Sequence, residues 1–133
     1  MDENAIHDCR VDEQDSITER IIGAAIEVHR ILGPGLLESV YEKALCYEFT
    51  LRDIGYAEQV AVPIVYKGQE IHGQRLDLLV ESEVIVELKS QKVLPEVAVA
   101  QLISYLRATG LTRGLIINFG RKTLREGIKR VSL

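Results

Sequence analysis

Behind Asp15-Ser16 and Glu19, apolar residues Ile17, Ile21, Ala25, Val28 and Leu32 recur every three or four positions. That spacing predicts an amphipathic helix whose start is supplied by N-cap chemistry. Gly33-Pro34-Gly35 breaks the pattern, because proline has no amide to donate and glycine relaxes the backbone. The helical period resumes with Leu37, Val40, Tyr41, Ala44, Leu45 and Phe49, and Gly55 is a natural stop. Beyond it the pattern becomes β-branched and alternating. Val60, Val62, Ile64 and Tyr66 predict one strand, Lys67-Gly68-Gln69 a turn, residues 71–80 a second strand and residues 83–89 a third, with Glu81-Ser82-Glu83 as a short polar hairpin loop. Pro95 marks a further break. Residues 96–109 read as a helix, 114–119 (GLIINF) as a buried strand, and the basic tail as a last helical turn or a short edge strand. The order is ααβββαβ, without internal repeats.

A length of 133 residues suits one domain and one core without metal or disulfide staples. With 47% hydrophobic and 27% charged residues, the chain has the balance of a globular protein, not of a disordered or fibrous one. It holds no apolar run of membrane-spanning length, and its acidic start lacks the basic and apolar segments of a secretory signal, so the expected location is the cytoplasm. Cys9 and Cys46 lack the number and spacing of a disulfide framework or zinc knuckle and are expected to be free thiols. His7, His29 and His72 lack ligand spacing.

The net charge of −4 argues against a strongly basic nucleic-acid coat protein, but the charge is uneven. Residues 1–15 carry six acids and one base and are expected to form a flexible tail, while residues 16–133, the expected domain, carry 15 bases and 14 acids. Arg121, Lys122, Arg125, Lys129 and Arg130 cluster at the C-terminus. Such a run could meet a phosphate backbone, although a solvated helix face is its commoner meaning.

The predicted hairpin carries the candidate chemistry. A loop centred on Ser82 pairs residues whose numbers sum to 164, which sets Asp77 opposite Glu87. Side-chain alternation puts Lys89 on the face of Glu87 and sends Leu76, Leu78, Val84, Val86 and Leu88 to the other. Facing carboxylates with Cβ atoms about 4.5–5.5 Å apart repel unless a proton or cation lies between them. A divalent cation resolves the conflict, and two hard oxygen ligands, waters and a substrate phosphate are how Mg²⁺ is commonly held. A neighbouring lysine can neutralise charge that builds on a phosphoryl centre. Spacing alone nonetheless favours an ordinary reading, in which Glu87 pairs with Lys89 and Asp77 with Arg75 on a solvated sheet face. An acid followed ten residues later by Glu-x-Lys is a short pattern that many hairpins contain.

Resemblance changes that balance. Asp77 with Val86-Glu87-Leu88-Lys89 resembles the signature of the PD-(D/E)XK nuclease-like superfamily, in an αβββαβ order typical of that fold. Gly35-Leu36-Leu37-Glu38-Ser39-Val40-Tyr41 is similar to the G-x-x-E-x-x-Y motif of a bacterial and archaeal family assigned to the same superfamily. Further likeness in IIGAAIEVHRILGPGLLESVYEKAL, RLDLLVESEVIVELKS, AQLISYLRATG and GLIINFG extends it over residues 17–131. The resemblance implies a three-layer α/β, restriction-endonuclease-like core with a mixed central sheet flanked by helices. It also implies a Mg²⁺- or Mn²⁺-dependent nuclease acting on nucleic acid, DNA ahead of RNA.

In that reading Asp77 and Glu87 bind metal and Lys89 stabilises charge. Glu38, at the family's helical position, completes the metal site; without the resemblance, Glu38 and Glu42 are the solvated face of an amphipathic helix. Gln101 and Tyr105, four apart on a helix, resemble the Q-x-x-x-Y motif of RecB-like nucleases and are expected beside substrate with Tyr41 and Lys92. Tyr41 equally suits core packing with its hydroxyl at the rim. Two departures stand out: Leu76 replaces the proline of the motif's first letter, and no insertion for DNA recognition is evident. A compact core of this kind implies nonspecific or structure-selective cleavage, a homodimer that spans a duplex, or a targeting partner. The rival reading is a nuclease-fold interaction module that cleaves nothing.

Overall fold

The structure, a computed structural model, describes the backbone of residues 4–133 and the side chains of residues 16–133. The expectations placed on His7 and Cys9 fall outside the described side chains. Helix α1 (Asn4–Leu32) starts before the N-cap expected at Asp15-Ser16 and takes in most of the segment expected to be a tail. No proline or glycine lies between residues 4 and 22 to stop it. Gly33 does stop it: its φ of 68° is left-handed, and its amide donates to the His29 carbonyl at 2.8 Å. Helix α2 (Glu38–Leu51) follows.

Strands β1 (Tyr56–Ala61), β4 (Arg75–Val80), β5 (Val84–Lys89), β6 (Arg113–Asn118) and β7 (Ile128–Ser132) form a five-stranded sheet in the order β1-β4-β5-β6-β7. Only the β5–β6 pair is parallel, and helix α3 (Val97–Thr109) makes its crossover. The tail provides both of its expected alternatives, a 3-10 turn at Leu124–Gly127 and then the edge strand β7.

The strand expected through Val60 and Tyr66 is broken. Pro63, without an amide, separates β1 from a small antiparallel hairpin, β2 (Ile64–Tyr66) and β3 (Gln69–Ile71), whose turn residues Lys67 and Gly68 both have positive φ. The predicted second strand is likewise divided into β3 and β4. With this hairpin set aside, α2-β1-β4-β5-α3-β6 is the expected αβββαβ core.

Two apolar clusters sandwich the sheet. Ile21, Ala25 and Val28 of α1 and Tyr41, Leu45 and Phe49 of α2 pack with Leu78, Val84, Val86, Leu88, Leu115 and Ile117. On the other side Leu102, Tyr105 and Leu106 of α3 pack with Leu76, Ile85 and Ile116. Two details differ from expectation. Leu37 and Val40 are exposed, because the buried stripe of α2 runs through Tyr41, Leu45 and Phe49 instead. Leu76 joins the α3 side and Leu78 the α1 and α2 side, so strict alternation fails across Asp77. At the same level Gln59 of β1 adopts φ 50°, and the β1–β4 pairing skips Gln59 and Asp77. Among the described residues no helix is long and apolar enough to cross a membrane.

Candidate active site

The β4–β5 hairpin has the register read from the sequence: Leu78 pairs with Val86, Leu79 with Ile85 and Val80 with Val84, and each pair sums to 164. Glu81 and Ser82 turn the chain with φ near +55°. Beyond Leu78 the ladder gives way to side chains. The Asp77 amide donates to Glu87 Oε2 at 2.7 Å, and the Leu88 amide donates to Asp77 Oδ2 at 2.8 Å. Each acid thus takes over a hydrogen bond that the opposite backbone would otherwise make, and this fixes the two carboxylates across the hairpin.

Glu87 is only 4% exposed. Burial, and then the charge of Asp77, push its carboxyl up to about 7, against the pull of the Asp77 amide and of the Lys89 charge. Lys89 is half-buried at the end of β5 beside Asn118 of β6. The turn that follows is locked to β6: Gln91 N donates to Asn118 Oδ1 at 3.0 Å, and Asn118 Nδ2 returns a bond to Gln91 O at 2.8 Å. A Cβ at Gly120 would collide with the Gln91 backbone, so glycine is required for this close approach.

Glu38 stands exposed in the first turn of α2. The loop before it is tied to the site by Ser90 Oγ, which donates to Leu36 O at 2.6 Å one residue after Lys89. Among the described residues no three or more His, Cys, Asp or Glu side chains are grouped to hold one metal ion, so the expected set of Glu38, Asp77 and Glu87 is not assembled. The helix acid in electrostatic contact with both strand acids is instead Glu42, one turn on. Gln59 Nε2 bridges it to the site, 3.0 Å from Glu42 Oε1 and 3.5 Å from Asp77 Oδ1. Burial, a shared hydrogen bond with Glu58 and the charge of Asp77 push Glu42 up to about 7, while Lys43 holds Glu58 low. Sequence reasoning missed Glu42, Glu58 and Gln59. For Glu42 the signal was its place beside the buried stripe of Tyr41, Leu45 and Phe49. For Gln59, whose position depends on a left-handed backbone, no signal existed.

Tyr41 is fully buried and stacked on Phe119, with ring centroids 4.4 Å apart and planes 4° from parallel. Its hydroxyl donates to the Gly33 carbonyl and accepts from the Leu36 amide at 3.1 Å. These contacts favour packing over substrate contact: Tyr41 clamps the glycine loop and so fixes the entry of α2. Tyr105 lies on the α3 side, where its hydroxyl donates to Gln74 Oε1 at 2.7 Å. Burial and the charges of Glu87 and Asp77 raise its pKa, and a hydrogen bond from Gln101 opposes them. Gln101 and Tyr105 also line a groove of about 430 Å³ with Gln74 and Ser104. Lys92 is exposed in the loop after β5. Burial pushes the Cys46 thiol up to about 12, which leaves it inert.

A family model of the PD-(D/E)XK nuclease superfamily matches residues 15–131. The chain belongs to this superfamily. Its mixed five-stranded sheet with flanking helices is the restriction-endonuclease-like fold expected of a member. No curated protein and no solved structure matches the chain. Membership brings a nuclease-type function, an association with nucleic acid and the superfamily's usual use of divalent metals.

The donor chemistry fits such an ion. Asp77 and Glu87 each have one oxygen anchored by a backbone N–H and a second oxygen clear of the backbone. Their repulsion is also the conflict that a hard divalent cation relieves.

Proposed function

We propose that this chain is a Mg²⁺- or Mn²⁺-dependent nuclease that hydrolyses phosphodiester bonds of nucleic acid, DNA ahead of RNA, within the G-x-x-E-x-x-Y family of the superfamily. The observation that carries the reading is the Asp77–Glu87 pair, two carboxylates anchored across a hairpin, one of them driven toward its neutral form by burial and then by the charge of the other. Asp77 and Glu87 are the residues that hold the ion. A divalent cation, when bound, supplies Lewis-acid activation of water and neutralisation of phosphate charge.

The side chains do the rest. Lys89 projects from the strand of Glu87 and offsets charge developing on the phosphoryl oxygens. Glu42, close to both strand acids and able to hold a proton near neutral pH, is placed to take up or return one at the site. Glu38, one turn earlier on α2, supports the site from its rim. Gln101 and Tyr105 on α3 and Lys92 in the loop that precedes it are positioned for the substrate, while Tyr41 positions α2.

A second reading rests on the burial of Glu87: a carboxyl only 4% exposed also suits a nuclease-fold interaction module that cleaves nothing. Labelled single-stranded, duplex and branched DNA and RNA, incubated with Mg²⁺ or Mn²⁺ and the wild-type, Glu87→Ala or Lys89→Ala protein, separate the two. Metal-dependent cutting lost in both variants is the expected result. Absence of cutting, or cutting that survives both substitutions, refutes the nuclease.

A further inference from the structure

The C-terminal cations take no part in the site described above, yet they do not scatter over the surface. The 3-10 turn and β7 lie against α1 and leave two adjoining grooves, of about 610 and 410 Å³, which share Ile26 and Arg125. Lys122 lines one groove and Lys129 the other, with Arg125 at their junction.

Six cations belong to this region. Arg30, Arg121 and Arg130 are neutralised by Glu27, Glu126 and Glu19, with the last pair at 2.7 Å. Lys122, Arg125 and Lys129 have no acidic partner among the described residues, although the chain as a whole is acidic. Three uncompensated charges spread along two adjoining grooves form a basic strip that an extended polyanion complements.

The segment that lines the grooves is also tied to the end of β5 that carries Lys89. Lys89 is level with Asn118 on the adjacent strand. Asn118 holds Gln91 and Gly120 by side-chain hydrogen bonds and packs on Gly127, two residues after Arg125. The next residue after Gly120, Arg121, accepts a 2.9 Å hydrogen bond on its carbonyl from His29 of α1. A chain of hydrogen-bonded and packed residues therefore connects the end of β5 at Lys89 to the turn that lines the basic groove.

We propose that the groove between α1 and the Leu124–Gly127 turn is a second binding site, distinct from the Asp77–Glu87 centre, which grips the phosphodiester backbone of the nucleic-acid substrate through Lys122, Arg125 and Lys129. It makes no base contacts. It supplies affinity independent of sequence and gives a compact domain without a recognition insertion a means of holding a long substrate. The proposal rests on nucleic acid being the substrate, and the test separates the two ideas.

The full chain, in EDTA to prevent cleavage, is titrated against a fluorescent duplex of about 20 base pairs at several salt concentrations. The Lys122→Ala/Arg125→Ala/Lys129→Ala protein is expected to bind on the order of 10- to 100-fold more weakly, with a log Kd against log salt slope shallower by about 3. Arg107→Ala, which removes an exposed cation on α3, is expected to leave both unchanged. Hydrolysis of bis(p-nitrophenyl) phosphate with Mn²⁺, a substrate too small to reach the groove, is expected to be equal in the wild type and the triple variant. Loss of that hydrolysis in both proteins counts against the metal site alone, while the binding titration still decides the groove. Unchanged affinity and slope in the triple variant, or no binding of the duplex by the wild type, overturns the proposal.

Discussion

The two ends of one hairpin obey different rules. Near its turn, Leu78–Val80 and Val84–Val86 form a regular antiparallel ladder whose side chains are almost all apolar and buried. One residue further, backbone pairing yields to Asp77 and Glu87, which bind each other's strands through carboxylates and keep charge where the fold would otherwise place leucine and valine. The first end contributes stability. The second gives up stability to hold two like charges together, a cost that the proposed metal site would explain.

Substitutions at the two ends should therefore fail in opposite ways. Glu87→Ala or Asp77→Ala is expected to lower the cleavage rate by roughly 10³-fold or more, about 4 kcal/mol of barrier, while the protein stays folded by circular dichroism. Leu78→Ala is expected to cost about 3 kcal/mol in urea unfolding and leave the rate of the folded fraction nearly unchanged. Equal effects of both substitutions on rate and stability would erase the distinction.

The pH dependence of stability sharpens it. In EDTA, Glu87 is protonated in both states below about pH 4.5, and between about 4.5 and 7 the folded protein keeps a proton that the unfolded chain has released. Stability therefore falls as pH rises through that window, by roughly 2–3 kcal/mol from this carboxyl. Glu87→Gln, neutral at every pH, is expected to flatten the slope measured by urea midpoints at pH 5, 6 and 7. A slope unchanged by this substitution would assign it to other groups.

A smaller effect concerns the clamp. Tyr41→Phe keeps the stack on Phe119 but frees the Gly33 carbonyl and the Leu36 amide, and is expected to cost about 1–2 kcal/mol, read from thermal melts. Cleavage by the folded fraction is expected to persist. Its selective loss would return Tyr41 to the substrate.

The ladder end was legible in the sequence because a three-residue polar loop between two apolar runs admits one register that buries them. That register alone put Asp77 opposite Glu87. Local signals also located Gly33 and α3. The β2–β3 hairpin was not legible, since Val60, Val62, Ile64 and Tyr66 alternate as one strand would, and Pro63 marks the break only once the sheet edge is known. Glu38 was read correctly as to helix but not as to contact. Rotation of α2 against the sheet, set by the burial of Tyr41, Leu45 and Phe49, brings Glu42 rather than Glu38 into electrostatic contact with both strand acids. Gln59 and the switch of Leu76 to the α3 side depend on a left-handed residue with no local sequence signature.

The central claim is that the Asp77–Glu87 conflict exists to be relieved by a divalent cation. Calorimetric titration of the intact protein with Mn²⁺ near pH 6.5, in buffers of different ionisation enthalpy, tests it most directly. The account predicts binding that releases part of a proton in the wild type, because the ion displaces the proton held on Glu87, and loss of both binding and proton release in Glu87→Gln. Wild-type protein that takes up no Mn²⁺, or a Glu87→Gln protein that binds it as tightly and with the same proton release, would contradict it.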